Sequence, residues 1–195
     1  MKCEVYHTVE STEDKALIIK TAPFPCQDKP GELNEWLGDG YYFWEGSIKL
    51  AHWWGKVHYK RAGKHYAICR TFFHWEDGEI LDLVGNTQQI KEVWKLVRQL
   101  KVNPYYDSSE FSAQFIINHI RKHAVKPFYY KAIRVYSEQC SGDKEVKDSK
   151  LFFDGHSYLN LCPEIQICVL DKTTLDLPMK LVYCSEEEDA SSLTV

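Results

Sequence analysis

The chain has 195 residues, 44% of them hydrophobic, enough to bury a proper core and short enough that one domain, residues 1–185, is the expectation. Its 24 basic and 28 acidic side chains leave a formal charge of −4, which excludes a bulk field for polyanions and confines any nucleic-acid contact to a local patch. No apolar run approaches the roughly 20 residues needed to cross a bilayer, and the opening MKCEVYHTVE lacks the apolar core of a signal peptide, so a cytoplasmic protein with no membrane partner is expected.

In chain order, CEVYHTV alternates β-forming residues and reads as a strand; STEDKALIIKTA reads as a short helix that Ser11 or Thr12 would cap. The stretch PFPCQDKPGELNEW, with three prolines and a glycine, is loop. YYFW is strand-like, and Ser47 caps a helix running to about Lys60. HYAICRTFFHW and EILDLVG follow as strands. NTQQIKEVWKLVRQLK is the clearest helix, because Ile90, Val93, Trp94, Val97 and Leu100 fall on one stripe while Lys91, Glu92, Lys95 and Arg98 face away. A second helix after Asp107 carries Ala113, Ile116, Ile117, Ile120 and Ala124 and ends at Pro127. FYYKAIRVY, KLFFDG, EIQICVL and MKLVYCS read as strands, and the acidic end, residues 186–195, as a mobile tail. Strands on both sides of a central helical insertion, without βαβ alternation, indicate an α+β fold.

The seven cysteines are odd in number and hold no CxxC pair, which argues for reduced thiols over a disulfide framework or a zinc ribbon. His119 and His123 stand four apart on a helix, but no third metal ligand is suggested, and no metal is expected. Arg134 could meet a pyrophosphate, with a surface ion pair as the simpler expectation.

Aromatic residues crowd LGDGYYFWEGSIKLAHWWGK. Along an extended strand Tyr41 and Phe43 point one way and Tyr42 and Trp44 the other. On the following helix Leu50, Ala51, Trp54 and Val57 form the apolar stripe, whereas Trp53 shares the opposite side with Lys49, Lys56 and Lys60. A large ring on a polar face is either covered by a loop or is a platform for something planar. His7 shares its strand face with Cys3, Val5 and Val9, the position of a core histidine. Gly38 and Gly40 allow a sharp turn or close approach to a ligand.

VYHT, then LGDGYYFWEGSIKLAHWW, then PEIQICVL far downstream together resemble the ADP-ribosyltransferases of the poly(ADP-ribose) polymerase and diphtheria-toxin type, above all their small bacterial toxin-like members. The resemblance implies a split β-sheet sandwich with flanking helices and a central helical insertion, and NAD as co-substrate in a cleft between two small sheets. It places His7 on the ribose, Tyr42 and Trp53 on either side of nicotinamide, and Gly40 two residues before the tyrosine. Thr8 stands where the family usually has glycine, and its backbone N–H and C=O still suit the nicotinamide amide. Where the family usually has a glutamate opening the late strand, this chain has Gln166, with Glu164 two residues earlier on the same face.

The resemblance further implies transfer of a single ADP-ribose to a macromolecular acceptor, protein or nucleic acid, with toxin or defence use and an antitoxin or immunity protein as partner. The oxocarbenium character left on the ribose calls for nearby negative charge and for hydrogen bonds to the 2′-hydroxyl. A carboxylate at Glu164 would give both and Gln166 only the second. Two rivals follow: an NAD-binding module without catalysis, and an RNA 2′-phosphotransferase on the same scaffold. The latter would need more clustered arginine than HYKRAGKHYAICR provides.

Overall fold

The computed structural model describes residues 1–11, 14–26, 36–105, 111–123, 128–138, 144, 148–152 and 158–186. The candidate cap Thr12, the stripe residue Ala124, the terminator Pro127 and all of the acidic tail beyond Glu186 lie outside them.

The first strand, β1 (Lys2–Glu10), pairs antiparallel along its whole length with β3 (Tyr66–His74), from Lys2↔His74 to Glu10↔Tyr66. On its other side, β2 (Tyr41–Glu45) keeps register for only two pairs, Val5↔Glu45 and Tyr6↔Trp44. Beyond β2 come β8 (Ile165–Val169), β5 (Ala132–Tyr136) and the parallel β4 (Ile80–Asp82), while β9 (Lys180–Cys184) borders β3. The result is one seven-stranded, mostly antiparallel sheet in the order β4-β5-β8-β2-β1-β3-β9. The α+β expectation holds. Instead of two separate small sheets there is one sheet, because the two rungs between β1 and β2 keep its halves joined. A hairpin of β6 (Lys150–Phe152) and β7 (Tyr158–Asn160) stands apart, and β7 was not expected from the sequence.

The side-chain alternation sorts the core into layers. Val5, Val9, Phe43, Cys69 and Ile167 share one face of the sheet, packed with Ile18 and Ala22 from α1 (Lys15–Thr21) and its C-terminal cap. That helix is capped by Asp14, whose carboxylate accepts from the Leu17 amide at 2.9 Å, rather than by Ser11 or Thr12. The opposite face divides in two. Tyr6, Trp44 and Ile68 lie beneath α2 (Ile48–His58), which Ser47 caps as expected. Ile133, Val135 and Cys168 lie beneath Val93 of α3 (Thr87–Lys101) and Ile117 of α4 (Ala113–His123).

Gly55 sets the roll of α2. A Cβ there would stand 2.2 Å from the Tyr66 ring, so the helix seats its backbone on that ring and buries Leu50, Ala51 and Gly55. Trp53 and Trp54 are both half-buried against the Tyr6–Trp44 cluster, with Trp53 packing edge-on against Trp44, centroids 6.2 Å apart.

The α3 stripe is also only partly covered. Leu100 is buried and Val93 packs into the core, but Ile90 and Trp94 are 37% and 58% exposed, because only the Val93–Leu100 side of the helix reaches the sheet. Arg134 is no surface pair: its guanidinium forks onto Glu45 at 2.6 and 2.9 Å and reaches Asp82 at 3.0 Å, with only 14% of its side chain exposed. None of Cys3, Cys26, Cys69, Cys162, Cys168 and Cys184 forms a disulfide, and Cys140 lies outside the described residues.

Candidate functional site

Where β1 and β2 stop pairing, a cleft of about 690 Å³ opens, with Thr8, Trp36, Tyr42, Trp54, His58 and Gln166 among its lining residues. Its origin lies in the register. The Gly46 amide donates to the Glu4 carbonyl at 2.9 Å, so residue 4 turns its backbone polar groups toward β2. By the two-residue period of a strand, Tyr6 and Thr8 do the same. Tyr6 finds Trp44. Continued register would give Thr8 to Tyr42, but the strands have parted, and among the described residues no rung from β2 reaches Thr8. Its N–H and C=O therefore face the cleft, while its side chain is spent elsewhere, donating to the Ala51 carbonyl at 2.9 Å and fastening α2 to β1.

His7 closes the back of the gap. Its Nε2 accepts from the Phe24 amide at 3.1 Å, which puts the ring hydrogen on Nδ1, and Nδ1 donates to the Tyr42 carbonyl at 2.8 Å. The imidazole thus stands in for the missing rung and also holds the Phe24–Cys26 segment, whose Cys26 amide donates to the Gly40 carbonyl at 2.8 Å. Burial pushes the His7 pKa down to about 4, against the smaller opposing pull of the Tyr42 carbonyl. The ring is neutral at physiological pH with both nitrogens occupied.

Tyr42 lies on the face opposite His7 and is half-buried. Its hydroxyl donates to the Gly38 carbonyl at 2.8 Å and accepts from the Leu37 amide at 3.0 Å, and burial holds it protonated far above the ordinary tyrosine range. What it offers the cleft is a ring. Gln166, paired with Trp44 on one side and Val135 on the other, is buried on the same face. The indole N–H of Trp36, which can only donate, reaches its Oε1 at 2.8 Å. That fixes the amide orientation. The Gln166 NH2 has no acceptor among the described residues and is the polar group the side chain presents to the cleft.

The structure thus gathers His7, Thr8, Tyr42 and Gln166 around one opening, from β1, β2 and β8. Three other candidates stand apart. Trp53 belongs to the cluster around Trp44 and is absent from the lining; Trp54 takes that wall, its ring stacked on His58 with centroids 3.6 Å apart. Gly40 serves the strands, since a Cβ there would meet the Cys168 thiol at 2.4 Å and the Val169 carbonyl at 3.0 Å. Glu164 is buried just before β8, its carbonyl accepting from the Ser137 amide at 2.7 Å, and it does not line the cleft. Among the described residues the one carboxylate in the lining, Glu10, is taken by Lys64 at 2.8 Å. Trp36 was missed because it sits in a loop-like stretch with no periodicity, and His58 because nothing in the spacing of the α2 residues singles it out.

Among the described residues no group of histidine, cysteine and carboxylate side chains could hold a metal ion, and no helix is long and apolar enough to cross a membrane. No family model and no solved structure matches the chain. An uncharacterized protein of Methanocaldococcus jannaschii is similar, 22% identical over 190 residues that cover 90% of this chain and 85% of the relative.

Proposed function

We propose that the chain is a mono-ADP-ribosyltransferase of the poly(ADP-ribose) polymerase and diphtheria-toxin type, which breaks the nicotinamide–ribose bond of NAD and passes ADP-ribose to a macromolecular acceptor. One observation carries the reading: Thr8, Tyr42 and Gln166, far apart in sequence, meet where the sheet splits between β1 and β2. The open N–H and C=O of Thr8 offer a donor and an acceptor at the spacing a primary amide such as that of nicotinamide requires. Tyr42 supplies a π face for the pyridinium, and Trp36 and Trp54 add two more at the walls, in a cleft where cation–π attraction substitutes for charge. The Gln166 NH2 donates to a ribose hydroxyl. His7 acts on this site at one remove, by bracing the gap, since neither ring nitrogen is open to a ribose.

Among the described residues the one carboxylate that lines this cleft is Glu10, which is paired with Lys64, while Glu164 is not in the lining. That favours slow transfer, with the acceptor positioned by its own binding. It is also the specific ground for a second reading, an NAD-binding module without turnover. Incubation with NAD and measurement of free nicotinamide separates the two. Release that Tyr42→Ala or Gln166→Ala abolishes supports the enzyme; tight binding without release, even with cell lysate supplying acceptors, supports the module; and neither binding nor release refutes both.

A further inference from the structure

Two helices of this chain are amphipathic in different ways. The sheet-facing side of α2 is buried, whereas α3 lends the core Val93 and Leu100 and leaves its adjoining edge uncovered. Ile90 and Trp94 are exposed at 37% and 58%, and Val102 and Tyr105, just past the helix end, at 83% and 92%. Monomeric proteins seldom leave aliphatic and aromatic side chains in a row without a use.

The charges beside the strip are of one sign. Lys91, Arg98 and Lys101 fall within about a quarter turn of Trp94 on the helical wheel and Lys95 just beyond, while the helix's lone carboxylate, Glu92, lies on the far side. In a chain of net charge −4 this cationic concentration is local.

We propose that α3 is a peripheral docking surface for an anionic lipid bilayer, with the helix lying along the interface. The chemistry fits an interfacial helix: a narrow apolar edge with tryptophan and tyrosine, which settle at the headgroup level, and long cationic side chains able to reach phosphate. The 15 residues of α3 extend about 22 Å, a length along which a fluid surface can meet the exposed side. A second copy of the chain fits poorly, because pairing two such edges sets cation against cation. The proposal does not depend on the reading of the cleft.

Sedimentation of the full chain with vesicles tests it. The protein should pellet with phosphatidylcholine vesicles containing phosphatidylglycerol, stay in solution with phosphatidylcholine alone, and be released by salt. Each of Lys91→Glu and Arg98→Glu should weaken partitioning about fivefold or more, and Trp94→Ser several-fold, with thermal unfolding unchanged because all three side chains are solvent-facing. No pelleting with anionic vesicles at low salt, equal pelleting with neutral ones, or variants that pellet like wild type would each overturn it. So would an acidic amphipathic peptide that binds α3 while anionic vesicles do not, since that assigns the edge to a protein partner.

Discussion

His7 and Gln166 are both buried polar side chains at the split of the sheet, yet they differ in what remains to be satisfied. His7 spends both nitrogens on the backbone of two other segments; Gln166 spends its oxygen on Trp36 and turns its NH2 to the cleft. A buried group whose whole hydrogen-bonding capacity is consumed is part of the frame. One left half-engaged at a cavity wall is available to a ligand.

The largest effect expected from that difference is on stability. His7→Ala orphans the Phe24 amide and the Tyr42 carbonyl together and should cost roughly 2–5 kcal/mol in denaturant unfolding, whereas Gln166→Ala, which frees only an indole at the rim of a cleft, should cost about 1 kcal/mol. Equal losses would erase the distinction.

A pH series reads the same contrast next. Because the folded pKa of His7 is depressed to about 4 from an ordinary 6.5, the unfolded chain binds more protons between those values. Stability due to this residue is therefore full above pH 6.5 and declines as pH falls toward 4, by on the order of 3 kcal/mol. The decline should be missing from His7→Ala, and a wild-type curve that is flat over this window would show that the imidazole is not held neutral.

Chemistry should follow Gln166 instead. If the cleft cleaves NAD, Gln166→Glu puts a charge beside the ribose and should raise nicotinamide release by about tenfold or more, at some cost in stability because the side chain is buried. A fall in release would mean that the donor, not the charge, is what the reaction uses. The smallest effect belongs to Trp36→Phe, which frees the amide to rotate and should weaken NAD binding a few-fold, in line with one neutral hydrogen bond of about 1 kcal/mol.

Much of this fold was legible because each strand carries its own evidence: the alternation around Val5, His7 and Val9, or around Phe43 and Trp44, needs no partner to be read. The convergence of His7, Tyr42 and Gln166 was legible only through the family resemblance, since spacing says nothing about which strands become neighbours. What failed depended on tertiary packing. Trp54 and not Trp53 lines the cleft, and Gly55, seated on Tyr66 eleven positions further along, takes the buried place on α2. Gly40 looked like a ligand contact and is instead the point where β8 presses on β2. The split itself arises from a register that ends after two rungs, and the periodicity of either strand alone would have continued it.

The central claim is that the open face of Thr8, the ring of Tyr42 and the amide of Gln166 together hold the nicotinamide end of NAD. Titration of the isotopically labelled chain with NAD, followed by NMR, tests it most directly. The account predicts saturable shifts concentrated in the Thr8 backbone amide, the Gln166 side-chain NH2 and the Trp36 indole N–H. Saturable shifts confined to other surfaces, or none at millimolar NAD, would contradict it.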